Sequence, residues 1–185
     1  MCEISVTELE KVSSLKTPQD AIAQIKIPEW PALRHEELKG QFALVLDGIQ
    51  DPGNMGTIIR IADWFGIGHI ICSEDTVDAY NPKVVQACMG SLARVKVYYT
   101  DLRDFLGSVK LPVFGALLDG TNIYEADFGN EGLIIMGNEG NGIRPEIEKL
   151  VEKAITIPRV GKAESLNVAI ATALFCSEVS RKAAK

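Results

Sequence analysis

The chain has 185 residues, 46% of them hydrophobic, with 19 Lys and Arg against 25 Asp and Glu and a formal net charge of −6. That reads as one soluble globular core with room for an appended arm; no apolar run approaches the roughly 18 residues of a membrane span, and the acidic start (Glu3, Glu8, Glu10) is unlike a signal peptide, so a cytoplasmic location is expected. A sequence pI near 5.0 makes the chain a poor autonomous binder of nucleic acid, because nonspecific affinity comes largely from phosphates neutralised by Lys and Arg.

Residues 1–40 differ in character from the rest of the chain. Ser13-Ser14-Leu15-Lys16-Thr17-Pro18-Gln19 and the Pro28–Pro31 stretch read as an arm that packs on the core or on a partner. The core begins with an apolar run of strand character, Phe42 to Leu46. Turn formers come next, and then a helical stripe of Ile58, Ile61, Ala62 and Phe65. This pattern predicts Asn54 as the helix N-cap and places Arg60 in the first turns. Asp63 stands at i+3 from Arg60, so an exposed ion pair on one helix face would account for both residues.

Further strands are predicted at His69 to Cys72, Arg94 to Tyr99, Val113 to Leu118, Gly132 to Met136 and Ala154 to Ile157, with helical stretches between most of them. The alternation predicts a single α/β domain over residues 41–185: a parallel sheet with helices on both faces. Ligands of such sheets collect at the carboxyl ends of strands.

Two segments repeat the strand, turn and helix pattern of the first. Leu133 to Pro145 carries Gly137-Asn138-Glu139-Gly140-Asn141-Gly142 and a helix opened by Pro145. Ala154 to Val168 is a short strand, a loop and the start of an alanine-rich helix running to about Arg181. Gly137, Gly140 and Gly142 let a ligand approach main-chain groups closely, as an adenine read by backbone hydrogen bonds requires, and the strand end Leu117-Leu118-Asp119-Gly120 offers a second wall. A single glycine turn of this kind would equally serve only as a tight connection. The cysteines (Cys2, Cys72, Cys88, Cys176) are scattered, form no CxxC pair and read as reduced, mostly buried thiols, so no metal site is expected. His35 and His69 read as ordinary surface or strand residues, and Ser180 to Lys185 as a solvated helix end.

These three segments, with Asn81-Pro82-Lys83 and Met89-Gly90-Ser91 between them, resemble the motifs of the SpoU (TrmH-like) RNA ribose 2′-O-methyltransferases of the SPOUT superfamily, over roughly residues 42 to 182. The resemblance implies an α/β-knot, in which about residues 137 to 175 thread a loop to form a deep trefoil. It implies homodimers with active sites at the interface, and S-adenosyl-L-methionine as cofactor. The residues matching the family's donor contacts are Gly137, Ile157 before Pro158, and Leu166, with Asn138 and Leu117 to Gly120 completing the expected cradle. Arg60 matches the arginine held to activate the ribose hydroxyl, Asn54 its supporting asparagine, and Glu139, Ser165 and Asn167 the polar residues of the later motifs. The Ser-x-x-x-Thr-Pro-Gln pattern resembles the close of a small RNA-binding domain that precedes the catalytic one.

Guanidinium stays protonated at ordinary pH, so Arg60 is better read as orienting the target phosphate and stabilising developing alkoxide charge than as a simple base. Glu139 is left to hold that arginine, to relay the proton or to cap its turn. Ser165 and Asn167 are left as site residues or as N-cap and loop-fixing groups. The expected activity is 2′-O-methylation of a ribose in structured RNA, ribosomal RNA before transfer RNA. An inactive RNA-binding paralogue is the alternative. A dinucleotide-dependent oxidoreductase fits less well, because Gly137 to Gly142 is not a G-x-G-x-x-G and lies late in the chain.

Overall fold

A computed structural model describes residues 2–13 and 17–183. Ser14, Leu15 and Lys16 of the Ser-x-x-x-Thr-Pro-Gln pattern, and Ala184 and Lys185 of the basic end, lie outside the described residues. The chain divides into two compact units, residues 1–30 and 31–185. In the first, helix α1 (Val6–Val12) opens with a capping box: Ser5 accepts from the Glu8 N–H while the Glu8 carboxylate accepts from the Ser5 N–H. It buries no side chain.

The second unit holds six strands: β1 (Phe42–Asp47), β2 (His69–Ser73), β3 (Lys96–Thr100), β4 (Val113–Asn122), β5 (Gly132–Gly137) and β6 (Lys153–Thr156). All pairings are parallel and the order is β3-β2-β1-β5-β4-β6. Each predicted strand is present. Alternate residues of the central strands feed two cores, as the two-residue strand period requires. Leu44, Leu46, Ile134 and Met136 pack with helices α2 (Pro52–Trp64), α3 (Pro82–Ala87) and α6 (Val168–Ala183). Ala43, Val45, Leu133 and Ile135 pack with α4 (Leu102–Ser108), α5 (Pro145–Glu148) and Leu38 of the 3₁₀ turn His35–Leu38. Helices therefore cover both faces, as the alternation predicts.

Two features of the sheet position the site. Asp47, the last residue of β1, is the register partner of Gly137, the last residue of β5, so the loops beyond them leave the sheet side by side. In β4, both Ala116 and Thr121 stand opposite Ile155 of β6. Leu117, Leu118, Asp119 and Gly120 therefore leave the ladder as an excursion whose Leu118 is 73% exposed.

The start of α2 differs from expectation. Asp51, not Asn54, is the N-cap, accepting from the Asn54 N–H at 2.7 Å, and Pro52 fills the first position. Proline fits there because its missing N–H would have no helical partner, and the carboxylate of Asp51 is the stronger match to the helix end. Asn54 is thereby freed to point its amide out of the helix, and Arg60 lies deeper along the 13-residue helix than the first turns.

Candidate functional site

The three glycine-bearing segments meet at the carboxyl edge of the sheet. The Asn54 Nδ2 donates to Glu139 Oε1 at 2.9 Å, and Asn54 Oδ1 accepts from Asn167 Nδ2 at 2.9 Å. Asn167 is the cap of α6: its Oδ1 accepts from the Ala169 N–H (2.9 Å) and the Ile170 N–H (3.3 Å). Residues separated by 85 and 113 positions from Asn54 are thus joined through one side chain.

The loop carrying Glu139 is fastened at both ends. Asn138 Nδ2 donates to the Gly48 carbonyl at 2.7 Å, while its Oδ1 accepts from the Gly140 and Asn141 N–H groups. Its backbone exchanges two hydrogen bonds with Gly142. At the far end, fully buried Asp47 accepts from the Arg144 N–H and Nε, each at 2.7 Å, and from a terminal guanidinium nitrogen at 2.5 Å. The Asp47 hydrogen bonds raise the Arg144 guanidinium above its ordinary range, with a smaller contribution from Asp75. Gly137 is glycine for a packing reason: a Cβ there would lie 2.2 Å from the Gly142 carbonyl carbon, so the strand can end under this loop only without a side chain.

The residues expected to cradle a cofactor line the ends of three neighbouring strands. Gly137 ends β5, the Leu117–Gly120 excursion belongs to β4, and Ile157 and Pro158 lie just beyond β6. Thr156 Oγ1 donates to the Leu118 carbonyl at 2.8 Å and ties the last two together. Gly120 also has a packing reason, since a Cβ would meet the Ala154 carbonyl oxygen at 2.5 Å. Ile157 is half-buried against the core, Pro158 and Asp119 are exposed, and Leu166 is 50% exposed ahead of α6.

Arg60 and Ser165 are not drawn into this cluster. Ser165 is exposed and makes no hydrogen bond among the described residues. Arg60 is exposed on another face of α2, where Thr57, Arg60, Ile61, Trp64 and Phe65 line an open groove of about 350 Å³ and Trp64 is 84% exposed. The Arg60–Asp63 pair that the i+3 spacing allows is absent: Asp63 accepts from Arg94 through Nε and a terminal nitrogen and from Ser91 Oγ at 2.7 Å. Arg94 first, and then Ser91, hold the Asp63 carboxyl below its usual range. The planar guanidinium fork of Arg94 matches both carboxylate oxygens, which a one-helix i+3 contact from Arg60 does not improve on.

Three cysteines are buried, as expected; burial raises the thiol of Cys72 and, opposed by a smaller backbone hydrogen-bond contribution, pushes that of Cys176 up to about 12. Among the described residues no group of His, Cys, Asp and Glu could hold a metal. His69 is a strand residue, as expected, opening β2, and it is buried. Among the described residues its Nδ1 has no hydrogen-bond partner, and burial, with Lys96 nearby, lowers its pKa. Sequence reasoning assigned no role to Asp47 and Arg144. The signal was a lone carboxylate ending a strand apolar on both faces, where an unpaired charge is too costly to persist.

The comparisons with known proteins agree with the fold. The SpoU rRNA Methylase family model matches residues 41–177. The chain is 32% identical over 177 residues to the Bacillus subtilis protein named 23S rRNA (guanosine(2553)-2′-O)-methyltransferase RlmP, covering 93% of this chain and 69% of that one. A TrmH-family structure from Porphyromonas gingivalis superposes with a TM-score of 0.78 at 42% identity, over 94% of this chain and 71% of that chain. An AdoMet-bound rRNA methyltransferase from Sinorhizobium meliloti superposes with a TM-score of 0.73 at 33% identity, over 77% and 57%. The residues that carry the cluster, from Asn54 through Glu139 to Asn167, all fall inside the matched span, and the chain belongs to the SpoU rRNA methylase family.

Proposed function

We propose that this protein methylates the 2′-hydroxyl of a ribose in structured RNA, with ribosomal RNA preferred over transfer RNA, using S-adenosyl-L-methionine in the cytoplasm. The observation that carries the reading is the junction of Asn54, Glu139 and Asn167, which brings the polar residues of three separate segments to one point. The excursion at Leu117–Gly120 fits the donor: its backbone is released from β6 and exposed Leu118 and Leu166 supply apolar surface, the mix of main-chain and apolar groups that suits an adenosine. Gly137, Asn138, Ile157 and Pro158 complete that cradle. The donor supplies a methyl group already activated by a sulfonium, so the chain's task is chiefly to position. Arg60 orients the target phosphate and steadies negative charge on the ribose oxygen, and Ser165, exposed two residues before Asn167, is assigned to the same site by its match to the family's motif.

Arg60 faces away from the polar cluster of its own chain, and it stands beside exposed Trp64 in an apolar groove. A homodimer joined through α2 and α6 completes the site by bringing one chain's Arg60 to its partner's cluster, and the knot threads through this same region. Residues 41–185 form the catalytic domain, with 1–40 as an arm or the close of an upstream RNA-binding domain. Charge supports that division, because a chain of net −6 gains RNA affinity most readily from a second segment. Titration with S-adenosylhomocysteine should give one saturable site per chain. Methyl transfer to ribosomal RNA, mapped by blocked 2′-hydroxyls, should then be detectable; absence of donor binding by the folded protein would overturn the reading.

A further inference from the structure

The stretch Met89-Gly90-Ser91, prominent in the sequence, has no part in the polar junction. Cys88 caps the end of α3, and the next residue, Met89, is the one non-glycine among the described residues with a positive φ, +51°. Helices that turn off in this way usually place glycine there, because a side chain in the left-handed region strains against the backbone. The side chain kept despite that strain is 69% exposed, so it fills no core. Helix α2 shows where it stands. A Cβ at Gly56 would meet Ala87 Cβ at 2.5 Å and the Val84 carbonyl oxygen at 2.8 Å, and Asp63 accepts from Ser91 Oγ at 2.7 Å. Gly56, Arg60 and Asp63 are spaced by four and three residues and share one face of α2. Arg60 therefore lies between the two anchors, opposite the turn of Met89 and Gly90. Lys83 stands one turn before Ala87 on α3. Both cations are exposed, and among the described residues neither forms an ion pair.

Resting on the methyltransferase reading, we infer that Met89 is a base contact: its side chain packs against an unstacked nucleobase of the RNA strand whose phosphates Arg60 and Lys83 engage. A nucleotide presents an anionic phosphate and a flat apolar base face, and this surface offers the complement of each. The thioether of methionine is polarizable and packs well on aromatic rings. Two unpaired cations beside it stand out in a chain of net charge −6. Thr57, Ile61 and Trp64 line the groove on the other flank of Arg60, so a contact between copies through that groove leaves the Met89 turn open to RNA. The strained turn is held at both ends by α2, which fixes the height at which the side chain is offered and lets it register a base while Arg60 meets the backbone.

Glycine is the residue this turn prefers, so the test does not depend on a variant that fails to fold. Met89→Gly removes the side chain and relieves the backbone. Melting temperature should hold or rise, and S-adenosylhomocysteine affinity and the oligomeric state in sedimentation should be unchanged. With deproteinised ribosomal RNA, KM should rise by about 5–10-fold, the lower end of what one base contact contributes, while turnover at saturating RNA changes little. Met89→Asn, whose short side chain also tolerates the left-handed region, should match it. Salt separates base from phosphate: Met89→Gly should leave the dependence of RNA affinity on salt as it is, whereas Lys83→Ala should lower its slope by about one. A purely structural Met89 predicts the opposite for RNA, so a Met89→Gly protein with unaltered KM would overturn the inference. A change confined to the oligomeric state would also overturn it, in favour of a contact between copies. If the unaltered protein transfers no methyl group to RNA, the methyltransferase reading falls and this inference with it. If it does transfer and Met89→Gly equals it, this inference alone falls.

Discussion

Asp47 and Arg144, 97 residues apart, hold each other through both the side chain and the backbone of the arginine, with the aspartate fully buried and the guanidinium 40% exposed. The pair fixes where the loop bearing Glu139 rejoins the fold. Asp47→Ala strands a partly buried charge and a partly buried N–H, so urea unfolding should show a loss of about 2–4 kcal/mol, below the roughly 3–5 kcal/mol of a fully buried pair because water reaches Arg144. Asp47→Asn keeps an acceptor and should lose less. Equal, small losses in both would show that the pair does not hold the loop.

Arg60 and Arg94 should behave oppositely. Arg94 ties α2 to the turn containing Ser91, whereas Arg60 pairs with nothing among the described residues. Arg60→Ala should leave stability within about 0.5 kcal/mol and reduce single-turnover methylation by roughly 10² or more, as removal of a positioned charge donor does elsewhere. Arg94→Ala should reverse that order, lowering stability measurably through the loss of its pair with Asp63 while sparing chemistry. Near-normal turnover in Arg60→Ala would end its assignment to the site.

A site shared between two copies makes a quantitative claim about mixtures. Arg60→Ala and Glu139→Gln should each be nearly inactive, yet on mixing and re-equilibration half the dimers are mixed, each carrying one intact site, so activity should return to about a quarter of the unaltered level. If each chain supplies its own Arg60, every site keeps one defect and mixing restores nothing. Trp64→Glu should convert the dimer to monomer in sedimentation, and a monomer with full activity would rule out the shared site.

Stability should fall on the acid side of neutrality because of His69. Its folded-state pKa is lowered, chiefly by burial and then by Lys96, with Glu37 opposing. As pH drops below the ordinary histidine value of about 6.5, the unfolded chain takes up a proton that the folded chain refuses, so protons favour unfolding. Urea midpoints at pH 7.5 and pH 5.5 should differ more in the unaltered protein than in His69→Phe. An unchanged difference would show that other groups govern the acid limb.

The fold was largely legible because its information is local. Strands apolar on both faces, such as Phe42 to Leu46 and Leu133 to Met136, announce a parallel sheet, and Pro52 and Pro145 mark helix starts. What stayed hidden depends on contacts between distant residues. Nothing near Asp63 in sequence says that Arg94 outcompetes Arg60 for it, and nothing near Asp47 names Arg144. The cap at Asp51 was legible in principle, since an Asp before Pro at the start of a helical stripe is the stronger signal. Gly137 and Gly120 stood out in the sequence as candidate site residues, while their steric necessity beneath Gly142 and beside Ala154 became visible only in three dimensions.

The strand order carries a consequence for how the chain is made. β1 pairs early with β2 through a short crossover, but its other edge waits for β5, whose Gly132 meets Phe42 after some 90 further residues. At roughly 5–20 residues per second, a nascent chain would present the edge of Phe42–Asp47, every residue of which is buried in the finished protein, for several seconds before its partner leaves the ribosome. An open apolar edge of that kind is a template for pairing with other chains. Chaperone capture during synthesis should therefore concentrate on the interval between the emergence of β1 and that of β5.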